Sequence, residues 1–150
     1  MKKPEHHNSG FTVFEALTAA VIISVLVAIA LPNFIRSKDR AYEASIETNA
    51  RTLRIMLENY KVDQSVYPED LRTLGREATL RGYNKTLTNP ISQTGGLVEN
   101  GAWAVMYTGP TGPAGMVTYN PVADKYYIFG YDAEGKLHQK AGEVFQMTNG

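Results

Sequence analysis

The stretch "SGFTVFEALTAAVIISVLVAIALPNF", Ser9 to Phe34, decides the fold. Between Phe11 and Leu31 lie 21 residues whose single charge is Glu15 and whose other polar side chains are Thr12, Thr18 and Ser24. That length matches the roughly 20 apolar helical residues that cover the hydrocarbon core of a bilayer. A carboxylate at the head of such a span is costly unless paired or neutralised, so Glu15 reads as functional and implies a partner. Its position in the first helical turn, favourable to the helix dipole, is too small an effect to justify membrane burial.

The rest of the chain bounds what can follow. At 150 residues, with a seventh of them in one apolar run, there is room for one anchored domain with a modest core. Lys plus Arg and Asp plus Glu number 15 each. Removing the first ten residues leaves 13 against 14, so no basic excess points to nucleic acid. The absence of cysteine excludes disulfides and thiolate metal sites. Of three histidines, only His138 lies beyond the N-terminal leader, and nothing near it resembles a nucleophilic triad. No phosphate-binding loop, cofactor motif or metal-ligand spacing is present.

Three readings of the N-terminus differ in where the chain is cut. A secretory signal would use Ala28-Ile29-Ala30, but the apolar run is long for one and Glu15 stands where basic residues belong. An uncleaved anchor explains the run but neither Gly10 nor Glu15. In the third, a short polar leader, then Gly10-Phe11, then Glu15 at the fifth place after the break, then an unbroken apolar helix ending in "IALPNF", resembles the prepilin signal of type IV pilins and type II secretion pseudopilins. The resemblance is close over the first 35 residues or so and only in outline beyond.

It implies that a membrane prepilin peptidase cuts after Gly10 and methylates the new amine of Phe11. It implies further that Glu15 pairs with a neighbouring subunit's N-terminus during assembly, and that the helix loosens near Pro32. Proline removes a backbone donor and clashes one turn back, so a kink or local melting is expected around Ala28 to Pro32; a second helix starting at Pro32 is the alternative. The implied partners are copies of the chain, the peptidase, membrane lipid before assembly, and an inner-membrane platform with a cytoplasmic ATPase. No cofactor is implied. The expected location is the bacterial inner membrane for the precursor, then an extracellular pilus or a periplasmic pseudopilus.

Past Asn33 the apolar stripe narrows to Tyr42, Ile46, Ala50, Leu53, Leu57 and Tyr60, the spacing of an amphipathic helix with one buried face. Glu47 to Arg51 is a favourable step, whereas Arg36/Arg40 and Asp39/Glu43 are like-charge pairs. A helix from Phe11 to about Tyr60 would run roughly 75 Å at 1.5 Å per residue, more than a domain of this size can cover. Tyr67-Pro68 stops it, and a short helix is expected around Glu69 to Gly75. Strands are expected at Ala102 to Thr108, Met116 to Asn120, Lys125 to Tyr131 and Lys136 to Lys140, with turns at "GPTGPAG", "NPVAD" and "DAEG". Short connections predict an antiparallel sheet packed on the Tyr42 to Tyr60 stripe.

The expected organisation is a leader (1–10), a membrane or filament-core helix (11–32) and an α+β head (33–150) that includes the amphipathic half of the helix. Asp124, Asp132 and Glu134 fall in turns and lack the alternating ligands of a calcium loop, so ordinary turn chemistry is expected. "NKT" at Asn84 fits a sequon by pattern alone, and the clustered tyrosines read as sheet residues. The chain reads as a non-enzymatic filament subunit, a pilin precursor. A secretion pseudopilin is the alternative, and a membrane-anchored binding domain a more distant one.

Overall fold

The computed structural model describes residues 10–97, the backbone of 104–106, and 109–149. Helix α1 spans Val13–Gln64, 52 residues, and runs unbroken through Pro32. The local melting expected at residues 28–32 is therefore absent, as is a separate second helix. Ser65, at φ 62°, takes the left-handed conformation that ends α1 before Tyr67-Pro68 is reached. The chain divides by its contacts into two units, residues 1–38 and 39–150.

Within the second unit, α2 spans Leu71–Arg81. The Asp70 carboxylate accepts the Thr73 N–H at 2.6 Å as N-cap, and Gly82 at φ 77° closes the other end. The helix is longer than the expected Glu69 to Gly75 because Leu71, Leu74 and Ala78 extend one buried face past Gly75. The stop signal is Gly82.

The sheet runs β1 (Ala104–Met106), β2 (Val117–Val122), β3 (Lys125–Gly130) and β6 (Gln146–Thr148), in that spatial order. A separate hairpin joins β4 (Gln139–Lys140) to β5 (Glu143–Val144). The β2–β3 and β3–β6 pairs are antiparallel, but β1 pairs parallel to β2, with Ala104 opposite Val117. The expected β1–β2 hairpin does not form. Residues 109–116 instead pair with the segment after β3: Gly112 N–H donates to Gly135 O at 2.9 Å, Gly115 N–H to Tyr131 O at 3.1 Å, and the Tyr131 hydroxyl to Gly109 O.

Other strand boundaries shift for local reasons. β2 continues through Pro121, which lies opposite Tyr126 of β3. The expected Lys136 to Lys140 strand shrinks to two residues and turns back at Ala141-Gly142, both at positive φ as a two-residue hairpin turn requires. β6 was not expected, since Gln-Met-Thr near the chain end has no alternation to announce it.

The core joins Ile46, Ala50, Leu53, Met56, Leu57 and Tyr60 of α1 to Leu71, Leu74 and Ala78 of α2 and to Val117, Tyr119, Tyr126 and Ile128 of the sheet. This is the anticipated stripe with Met56 added and Tyr42 only partly buried. Gly130 permits the close approach: a Cβ there would lie 2.5 Å from Ile46 Cγ2. Two tyrosine hydroxyls find partners at the core edge, Tyr119 donating to Pro68 O at 2.7 Å and Tyr126 to Glu58 at 2.6 Å. Burial pushes both phenols upward in pKa.

Glu47 ties β4 to α1. Its carboxylate accepts from Lys140 Nζ at 2.5 Å and lies 3.6 Å from Arg51 and 3.8 Å from His138 Nε2. The Lys140 hydrogen bond and charge, with His138 and Arg51, hold this carboxyl below the usual range.

Two expectations follow. Leu57 is fully buried, so Leu57→Ala should lower stability by about 2 to 5 kcal/mol in denaturant titration of the detergent-solubilised chain. A lowered carboxyl pKa contributes stability that is present above the unfolded value of about 4.3 and is lost as pH falls through the folded value. Wild type should therefore lose thermal stability below about pH 4 more steeply than Glu47→Gln.

Candidate functional site

The residues singled out at the N-terminus come together in the first turn of α1. Thr12 immediately precedes the helix and Glu15 is its third residue. The Thr12 N–H and hydroxyl both donate to Glu15 Oε2, at 2.9 and 2.7 Å, and the Glu15 N–H donates back to Thr12 Oγ1 at 3.2 Å. Ala16 N–H closes the first helical bond to Thr12 O at 3.1 Å. This reciprocal pattern is a capping box, which satisfies donors that a helix start leaves orphaned. The sequence carries this signal as Thr12-Val13-Phe14-Glu15.

The carboxylate thus has a partner in its own chain, reached through one oxygen. Glu15 Oε1 makes no hydrogen bond among the described residues. Phe11, four residues before Glu15, is 77% exposed. Gly10 is exposed, a Cβ on it would meet nothing within 4 Å, and its φ is not in the positive region. The subunit's own packing therefore gives no reason for glycine at this position.

Along the same segment the polar groups are satisfied internally. Thr18 donates to Phe14 O at 2.9 Å and Ser24 to Ala20 O at 2.7 Å, leaving an apolar exterior. Phe14, Leu17, Val21, Ile22, Ile23 and Leu26 are all more than half exposed. By length and composition α1 can cross a membrane: its most apolar 18-residue window has a mean hydropathy of 2.5, and none of that window is buried.

Elsewhere the candidates resolve into structure. His138 is 3% exposed and packs on the Phe145 ring. The Asp132 carboxylate accepts the N–H groups of Glu134 and Lys136, which is turn chemistry. Among the described residues no group of three His, Asp or Glu side chains could hold a metal ion.

A long apolar helix opening on a capped acid, followed by a small α+β head, defines a class of anchored, self-associating subunits. Sequence comparison places the chain within it. It is 35% identical over 77 residues to competence protein ComGC of Halalkalibacterium halodurans, covering 51% of this chain and 76% of that one. It is 31% identical over 122 residues to type II secretion system core protein G of Escherichia coli, covering 71% and 84%. A shorter match, 31% over 68 residues, is to the type IV major pilin protein PilA of Myxococcus xanthus, and spans 31% of that protein. No family model and no solved structure matches. The chain belongs to the family of type IV pilins and type II secretion pseudopilins.

If the box orders the helix start, Thr12→Ala should free it. Amide exchange at residues 13 to 15 in detergent micelles should rise on the order of five-fold, with Thr12→Ser near wild type.

Proposed function

We propose that this chain is the precursor of a type IV pilus-like filament subunit, cut between Gly10 and Phe11 by a prepilin peptidase and methylated on the new Phe11 amine. The observation that supports this best is the first turn of α1, where Glu15 heads an exposed apolar helix, is held by Thr12 through Oε2 and makes no hydrogen bond through Oε1 among the described residues. Gly10 serves the peptidase, since a residue without a side chain lets the scissile backbone approach an enzyme closely. In this reading residues 1–10 are the leader, 11–32 the membrane and filament-core segment, and 33–150 the head.

The mechanism is a change of solvent. The apolar segment is first dissolved in the inner membrane and then packs against copies of itself. Glu15 neutralises a neighbour's Phe11 ammonium, so both charges leave water only when subunits stack in the right axial step. Pro32, held helical in the free subunit, is where the helix bends or loosens on packing. An assembly platform and a cytoplasmic ATPase supply the work of extraction. A second reading, a pseudopilus of a type II secretion system, is favoured by the 122-residue match to a core protein G.

The test uses the Glu15→Gln chain expressed without wild type. Intact mass should show it cleaved to Phe11 with one added methyl, and electron microscopy of sheared material should show no filaments. Normal filaments from this variant would remove the pairing mechanism. A chain still beginning at Met1, or one starting at Leu31, would remove the precursor reading.

A further inference from the structure

The two flanks of α2 differ in charge. At 100° per residue, Gly75 and Thr79 lie nearly opposite Glu77 and Arg81, with the buried row of Leu71, Leu74 and Ala78 between them. On the first flank, Gly75 and Thr79 line a groove of about 510 Å³ that Leu71, Leu80 and Leu97 make largely apolar. Its charged lining residues are Arg72, Arg76 and Lys85, all exposed. None makes an ion pair with a described residue, although the charge and the backbone N–H of Arg72 both act on the Asp70 carboxylate.

On the second flank, α2 meets the end of α1. Asp63 and Glu77 share one cation, Arg81, at 3.5 and 3.6 Å, which leaves that corner one negative charge in excess. Gln64 donates to Glu77 at 3.4 Å. Val62 and Val66, either side of Asp63, are 82% and 56% exposed. Past Ile35 the exposed large apolar residues among those described are Ile55, Val62, Val66, Leu80, Val122 and Val144. Three of the six thus fall on these flanks: Leu80 in the basic groove, Val62 and Val66 at the acidic corner.

We propose that the basic groove receives the Val62, Asp63 and Val66 corner of a second copy, so that successive heads join flank to flank. The inference rests on the filament reading and adds a contact made by the heads. A second copy is the occupant because the chain itself carries the complementary surface, apolar residues and opposite charge together. The two surfaces are different, so the contact is heterologous, and such contacts propagate instead of closing into a two-fold dimer. Exposed ion pairs of this kind weaken with salt, which gives the contact a part in register more than in overall strength.

The chain has no cysteine, so engineered thiols report the contact cleanly. Val62→Cys and Leu80→Cys would be made in the full-length chain, at positions exposed enough to leave the core intact, and expressed with the assembly apparatus. Oxidised filaments should give a cross-linked dimer from a mixture of the two single variants. The doubly substituted chain should give a ladder of multimers, and each single variant alone should give none. Adding Arg72→Glu and Arg76→Glu should lower the ladder at least ten-fold.

Normal filaments with no ladder would overturn the docking and leave the filament reading intact, whereas absence of filaments from the wild-type chain would count against the filament reading. A Leu80→Cys dimer as abundant as the mixed one would show like faces meeting and overturn the proposal. So would a ladder unchanged by charge reversal. Filaments whose ladder persists after reversal but which lose capture of an exported protein would assign the groove to that cargo instead.

Discussion

The constraint on which everything else depends is the exposure of the apolar side chains between Phe11 and Leu31 among the described residues. Phe14 is 79% exposed, Leu26 61% and Ile29 64%, and the polar groups among them are turned back onto the helix backbone. At about 25 cal/mol per Å² of apolar surface, a segment this long cannot remain in water as a stable monomer. Lipid satisfies it, and so does a bundle of identical helices. The alternation between these two environments is the physical content of a filament subunit that begins in a membrane.

The head has the opposite task, to keep one fold in either setting. It does so by taking only one face of α1 for its core, from Ile46 to Tyr60, and closing that face with α2 and the sheet. Polar ties at the edge hold the closure: Glu58 receives the Tyr126 hydroxyl, and Glu47 receives Lys140 from the C-terminal hairpin. Both acids project from α1, so each anchors a late segment of the chain to its first element. Neither tie draws on the apolar segment that must change solvent.

Much of this was legible in the sequence because helices announce themselves locally. The apolar run and the Ile46, Leu53, Leu57 spacing needed only a 3.6-residue period. The sheet was less legible because its decisive contacts are distant. The parallel β1–β2 pair depends on the loop at 109–116 bonding to residues 131–136, which no local pattern encodes. β6 exists because β3 offers it an edge, and Gln146-Met147-Thr148 alone has no reason to be a strand. Gly75 lies inside α2 although glycine disfavours helix interiors, because the buried Leu74 and Ala78 on either side outweigh the roughly 1 kcal/mol it costs.

Glu15 carries two demands, one of position and one of charge. A carboxylate in lipid needs a partner, and reasoning from cost alone points directly to another subunit. The capping box supplies one from within: Thr12 takes Oε2, and the acid in return completes the helix start. The box orders the carboxylate at the helix start without neutralising it. What Thr12 cannot provide is a countercharge, because its donors are neutral, and the anion keeps its full charge however well it is hydrogen-bonded. Oε1 makes no hydrogen bond among the described residues. Holding the acid in place and balancing its charge are different demands, and the first turn of α1 meets the first of them through Oε2.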